Sequence, residues 1–123
     1  MELATKVIGL AIEIHRSLGP GLLESAYEEC LYYKIVTSGL RAEKQKRMPL
    51  VYEEVQLECG YRIDIVVENK LVVEVKSVDA IHPMHLAQTL TYLRLGGYRL
   101  GLLINFNVEL LRNGIKRVIN GTL

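Results

Sequence analysis

Cysteine is scarce, and what there is forms no framework. The 123 residues hold only Cys30 and Cys59. Neither sits in a CxxC pair or at a Cys/His zinc spacing, so two reduced thiols in a cytosolic protein are the expectation, with a disulfide open but not favoured. An excess of one charge is also missing: the formal net charge is +1, and bulk electrostatics does not announce a nucleic-acid binder. There is no long uncharged apolar run either. Glu2, Lys6, Glu13 and Arg16 interrupt the apolar residues of the N-terminal stretch, which suits neither a signal peptide nor a membrane span, and the cytoplasm is the expected location. Internal repeats and low-complexity segments are lacking. What remains, 50% hydrophobic and 24% charged, is ordinary for a globular chain, and the length predicts a single domain over residues 1–123.

Helical periodicity is clear at the start. Leu3, Val7, Leu10, Ala11, Ile14 and Leu18 recur at helix spacing from Glu2 to Leu18, and Gly19-Pro20-Gly21 breaks the pattern. A second helix is predicted from Pro20 through Glu24, Tyr27, Leu31 and Ile35 to Gly39. The texture then changes. A basic segment (Arg41, Lys44, Lys46, Arg47) leads into strand-like Leu50-Val51-Tyr52 and Val55-Gln56-Leu57, then into two longer runs, Tyr61 to Val67 and Leu71 to Lys76. These last two read as a hairpin around Glu68-Asn69-Lys70. A third helix is expected from Pro83 to Leu95 with a core stripe of Leu86, Leu90 and Leu93, and His85, Gln88 and Tyr92 on its other side. Gly96-Gly97 ends it, Tyr98 to Phe106 reads as a buried strand, and Lys116 to Ile119 as a short last one. The elements compose a mixed α/β layer arrangement.

The two longer strands carry charges among branched apolar residues. Side chains alternate along a strand, so Glu74 and Lys76 project together, opposite Leu71, Val73 and Val75. In the preceding strand Asp64 stands opposite Tyr61, Ile63, Ile65 and Val67. With a three-residue turn, Val67 faces Leu71 and Asp64 lands across from Glu74, Cβ atoms roughly 5 Å apart; a two-residue turn without a bulge puts them on opposite faces. Two close carboxylates repel unless a cation sits between them, and Mg²⁺ suits such a site because it takes oxygen ligands and accepts phosphate oxygens. A lysine beside it can orient an attacking water and offset charge on a phosphate. The plain alternative is a solvated sheet face on which Glu74 pairs Lys76 and Asp64 pairs Arg62.

Asp64 followed ten residues on by Glu74-Val75-Lys76 resembles the D…(D/E)xK signature of the PD-(D/E)XK nuclease superfamily, and Gln88 to Tyr92 resembles the QxxxY helix motif of its RecB-like members. Gly21-Leu22-Leu23-Glu24-Ser25-Ala26-Tyr27 is similar to the GxxExxY motif that names a small branch of that superfamily. Ile63 stands where the superfamily's name has proline. The resemblance covers the whole chain and implies a restriction-endonuclease-like core, a mixed central sheet flanked by helices in the order ααβββαββ. It also implies that Asp64, Glu74, the Val75 carbonyl and Glu24 hold Mg²⁺ or Mn²⁺, that Lys76 serves the water and the transition state, and that Gln88 and Tyr92 face the site.

The remaining residues each carry two readings. Glu24 is also an ordinary acid near a helix N-terminus. Tyr27 either lies beside Glu24 near the substrate or packs on the sheet. His82 and His85 could bind a transition metal but lack a third ligand of that type; they read as helix-start residues, with His85 a candidate for facing the site. Arg41, Lys44, Lys46 and Arg47 either track a phosphate backbone or form a solvated loop. His15 reads as structural. The expected function is metal-dependent phosphodiester hydrolysis on DNA in preference to RNA, by water attack at a Mg-bound phosphate. The alternative is a non-catalytic nucleic-acid or protein-binding module that keeps the nuclease fold. A homodimer is compatible with the size.

Overall fold

A computed structural model describes residues 2–121. Helix α1 (Glu2–Leu18) buries Ala4, Val7, Ala11 and Ile14, one face of the predicted periodicity. Helix α2 (Glu24–Thr37) starts four residues later than expected, because Gly21 holds φ of +100°, a conformation that cannot continue a helix. Then follow β1 (Ala42–Arg47), β2 (Leu50–Tyr52), β3 (Val55–Leu57), β4 (Arg62–Val67), β5 (Leu71–Lys76), α3 (Pro83–Gly96), β6 (Leu100–Asn105), the 3₁₀ turn η1 (Leu111–Gly114) and β7 (Ile115–Ile119). No helix among the described residues is long and apolar enough to cross a membrane.

Five strands form one sheet in the order β1-β4-β5-β6-β7. Only β5 and β6 run parallel, and α3 makes the crossover between them, as parallel neighbours require. This is the mixed α/β arrangement expected from the sequence, with two differences. The basic segment is itself a strand, pairing antiparallel with β4 at the sheet edge. The β2 and β3 runs do not join the sheet but form a separate two-stranded hairpin.

Helices α1 and α2 cover one face, where Tyr27, Leu31 and Ile35 meet Ile65, Val67, Val73, Val75, Leu102 and Ile104. Helix α3 covers the other, where Tyr92 and Leu93 meet Met48, Ile63, Val66 and Val72. Tyr92 is therefore a core residue of α3, while Leu90 is only partly buried against it. Gly101 lets the helix approach: a Cβ there would lie 3.2 Å from Thr89 Cγ2 and 3.3 Å from Leu93 Cδ2. The turn between β4 and β5 has three residues, with Glu68 and Asn69 at φ of 53° and 54°. Val67 consequently faces Leu71, the register that aligns Asp64 with Glu74.

Candidate active site

The faces of the sheet exchange at one point. Along β1, Ala42 packs toward α1 and α2 and Lys44 reaches Glu29 and Tyr32 of α2, but Lys46 reaches Tyr98 and Met48 joins the α3 core. The partner strand does the same: Ile65 and Val67 face α1 and α2, whereas Ile63 faces α3. Between the reversed halves lie Gln45, at φ of 52°, and Asp64. Regular alternation would place Tyr61 and Ile63 with Ile65 and Val67. That expectation fails because both strands turn over at this row, Tyr61 instead packing its ring edge against Tyr92 at 6.1 Å between centroids. The reversal brings side chains of α2 and α3 to the same two acids.

At that row side chains replace the ladder. The Asp64 N–H donates to Glu74 Oε2 at 2.8 Å, and the Val75 N–H donates to Asp64 Oδ2 at 2.9 Å. Glu74 is only 3% exposed. Burial, followed by the nearby Asp64 charge, pushes its carboxyl up to about 8, against the lowering effects of the Asp64 N–H and Lys76. Asp64 is raised as well, by burial, and held back by the Val75 N–H, Lys76 and Gln45. Burial and mutual repulsion thus both favour a proton on the pair until a cation compensates its charge.

Lys76 is half-buried and forms no ion pair with either acid, though its charge lowers both. The Glu74–Lys76 and Asp64–Arg62 ion pairs of a plain solvated face do not form. The Lys76 carbonyl accepts from Phe106 N–H on the β6 side. Strand alternation therefore turns the Val75 carbonyl, like its N–H, toward β4 and the acids.

Glu24 stands next to this group without joining it. Its Oε2 accepts from Ser77 N–H at 3.2 Å, while Ser77 Oγ donates to the Leu22 carbonyl at 2.7 Å. Among the described residues no three His, Cys, Asp or Glu side chains converge as a ligand set. Of the two readings of Tyr27, packing on the sheet is the one the structure shows. It is fully buried, stacked on Phe106 at 4.4 Å, and its hydroxyl donates to Gly19 O and accepts from Leu22 N–H. It braces the loop before α2.

On α3, Gln88 Nε2 donates to the Tyr92 hydroxyl at 3.2 Å. Burial raises the Tyr92 phenol, and the charges of Glu74 and Asp64 raise it further, which puts its oxygen within their field. His85 is otherwise engaged: its Nδ1 accepts from His82 N–H, while His82 Nδ1 accepts from Met84 N–H, a reciprocal cap on the helix start. His85 does line a groove of about 420 Å³ with Tyr61, Met84 and Gln88. The basic segment disperses. Arg41 lies against Glu68, Lys44 pairs Glu29 at 2.7 Å, and Lys46 donates to the Tyr98 hydroxyl, so only Arg47 is left without a partner.

Two residues at the site were not singled out from sequence. Gln45 Nε2 donates to Glu28 Oε2 at 2.8 Å and to Asp64 Oδ1 at 3.3 Å, bridging α2 to β4. Burial raises the Glu28 carboxyl. Glu28 lies one helical turn beyond Glu24, a spacing that could have flagged it; nothing in a basic strand flags Gln45.

The donors suit a hard divalent cation. Asp64, Glu74 and the Val75 carbonyl supply oxygen only, and the two carboxylates lack the charge compensation that a cation would provide. Architecture and site define a restriction-endonuclease-like domain. Residues 1–118 match the family model of the PD-(D/E)XK nuclease superfamily, and the chain belongs to that superfamily. Comparison with curated proteins and with solved structures finds no match.

Proposed function

We propose that the chain is a metal-dependent phosphodiester hydrolase acting on DNA, of the GxxExxY branch of its superfamily. The observation that carries this reading is the crossed pair of Asp64 and Glu74, with an ammonium group beside it that no ion pair neutralises. Asp64, Glu74 and the Val75 carbonyl would hold Mg²⁺ or Mn²⁺. When bound, that ion supplies positive charge to phosphate oxygens and acidity to water. Lys76 orients the water and offsets charge on the phosphate as the new oxygen–phosphorus bond forms and the ester oxygen leaves. Gln88 and Tyr92 restrain the α3 side, and Gln45 restrains Asp64 from the α2 side. In the GxxExxY segment, Gly21 supplies the turn, Glu24 holds the Ser77 N–H just past Lys76, and Tyr27 secures the loop between them.

The test is cleavage of labelled single-stranded, duplex and branched DNA with Mg²⁺ or Mn²⁺ by wild type, Glu74→Ala and Lys76→Ala. Cleavage confined to wild type supports the reading; cleavage that survives both substitutions removes it. One observation favours a second reading, a protein-binding module without catalysis: Lys44 and Lys46 are tied to opposite faces, so the basic strand presents little continuous charge to a phosphate backbone. Calorimetric titration separates the two. Cation binding that disappears in Asp64→Asn supports the enzyme, and the absence of both cation binding and nucleic-acid affinity supports the module.

A further inference from the structure

The β2–β3 hairpin has an apolar face with nothing on it. Leu50 pairs with Leu57 and Tyr52 with Val55, and cross-strand partners share a face, so these four side chains form one surface. Tyr52 is 66% exposed, Val55 55% and Leu57 39%, and none belongs to either core. An isolated two-stranded hairpin is marginal in water, which makes such a face an unmet packing demand.

Charge narrows the choice of occupant. Residues 50–58 contain Glu53, Glu54 and Glu58 and no lysine or arginine, a composition that repels nucleic-acid phosphates. Glu53 and Glu54 form the turn at the tip. At the hairpin's base Arg47 and Arg62 lie directly opposite each other, both exposed and neither in an ion pair. One arm thus carries Glu53 and Glu54 at its tip and, about 20 Å away at the strand rise per residue, two arginines against the single Glu58 at its base, net negative at one end and net positive at the other. That pattern complements itself when one copy is turned end for end.

We propose that the hairpin is a self-association arm, in which two copies of this chain pack their Leu50/Tyr52/Val55/Leu57 faces antiparallel about a two-fold axis. The tip of each arm then meets the Arg47–Arg62 base of the other, the isologous contact that two-fold symmetry demands. A contact confined to one hairpin and its base is small against the roughly 800 Å² per partner of a stable complex, so the pair forms reversibly.

Sedimentation velocity on the full chain from micromolar to millimolar concentration tests this. Wild type passes from monomer to dimer, and Val55→Asp weakens the dimer about tenfold or more without lowering the melting temperature. The chains Glu53→Arg/Glu54→Arg and Arg47→Glu/Arg62→Glu are each monomeric, yet pair when mixed in equal amounts. A wild type that stays monomeric throughout, a dimer that Val55→Asp leaves intact, or charge-reversed chains that ignore each other would each overturn the proposal.

Discussion

Asp64 and Glu74 each use a carboxylate to bind the backbone of the other's strand: Asp64 N–H donates to Glu74, and the N–H of Val75, next to Glu74, donates to Asp64. Where two strands would ordinarily exchange backbone hydrogen bonds, they exchange side-chain ones. This fixes both acids without neutralising either, since a backbone N–H offers only a partial charge. The site is therefore rigid and electrostatically unfinished, the condition under which a divalent cation gains most.

That condition has a measurable pH signature. Glu74 in the folded chain binds its proton up to about 8, well above its ordinary range, so between those values the folded state carries a proton that the unfolded state has lost. Cation-free stability is then greatest below the ordinary carboxylate range and declines as pH rises toward about 8. Thermal unfolding in chelator should show that decline, and Glu74→Gln should flatten it. A cation must displace the same proton, so Mg²⁺ or Mn²⁺ affinity by calorimetry should rise by about tenfold per pH unit through this window. A cation affinity flat between pH 6 and 8 would sink the assignment.

Lys76→Ala separates holding the cation from using it. Removing the ammonium leaves the oxygen donors in place and takes away a charge that lowers both acids. Cation affinity should hold or tighten while kcat on DNA falls by about 10²–10³-fold. Cation binding lost together with activity would show that Lys76 supports the fold of the site instead.

The fold was legible where periodicity is strong and local. Helix α1, the β4–β5 hairpin and the crossover by α3 follow from apolar spacing and turn chemistry that no distant contact overrides. Helix α2 began late because Gly21's positive φ goes with a loop that Tyr27 and Ser77 anchor by tertiary hydrogen bonds, which helical periodicity does not encode. The opposition of Asp64 and Glu74 follows from counting residues through one turn. What could not be read was the reversal at Gln45. Alternation is a rule about regular strands, and a single residue at φ of 52° sends Lys44 and Lys46 to opposite faces, scattering a basic cluster that looks continuous in the sequence. Gln45 was missed for the same reason, because it meets Asp64 only once the strand turns over, and Glu28 is joined to Asp64 only through Gln45.

Gln45 makes the strain at this row testable. A non-glycine residue at that φ costs on the order of 1 kcal/mol, and such strain gathers at functional sites. Gln45→Gly relieves it and removes the amide that bridges Glu28 to Asp64. Its stability should lie within about 1 kcal/mol of wild type, whereas cleavage should fall about ten- to a hundredfold as Asp64 loses its restraint. If Gln45→Gly cleaves as wild type does, the backbone reversal is what matters and the side chain is incidental.

Tyr27→Phe tests whether the motif tyrosine acts on substrate or on the loop. The ring, stacked 4.4 Å from Phe106, is kept, and only the hydroxyl shared between Gly19 O and Leu22 N–H is lost. Both partners belong to the loop that Ser77 ties to the end of β5, so unfolding free energy should drop by about 1–3 kcal/mol. Through Ser77 and Glu24 the looser loop shifts Lys76, and kcat should fall with KM for DNA unchanged, because a fully buried hydroxyl touches no substrate. A raised KM at unaltered stability would reverse this reading and return Tyr27 to the substrate surface.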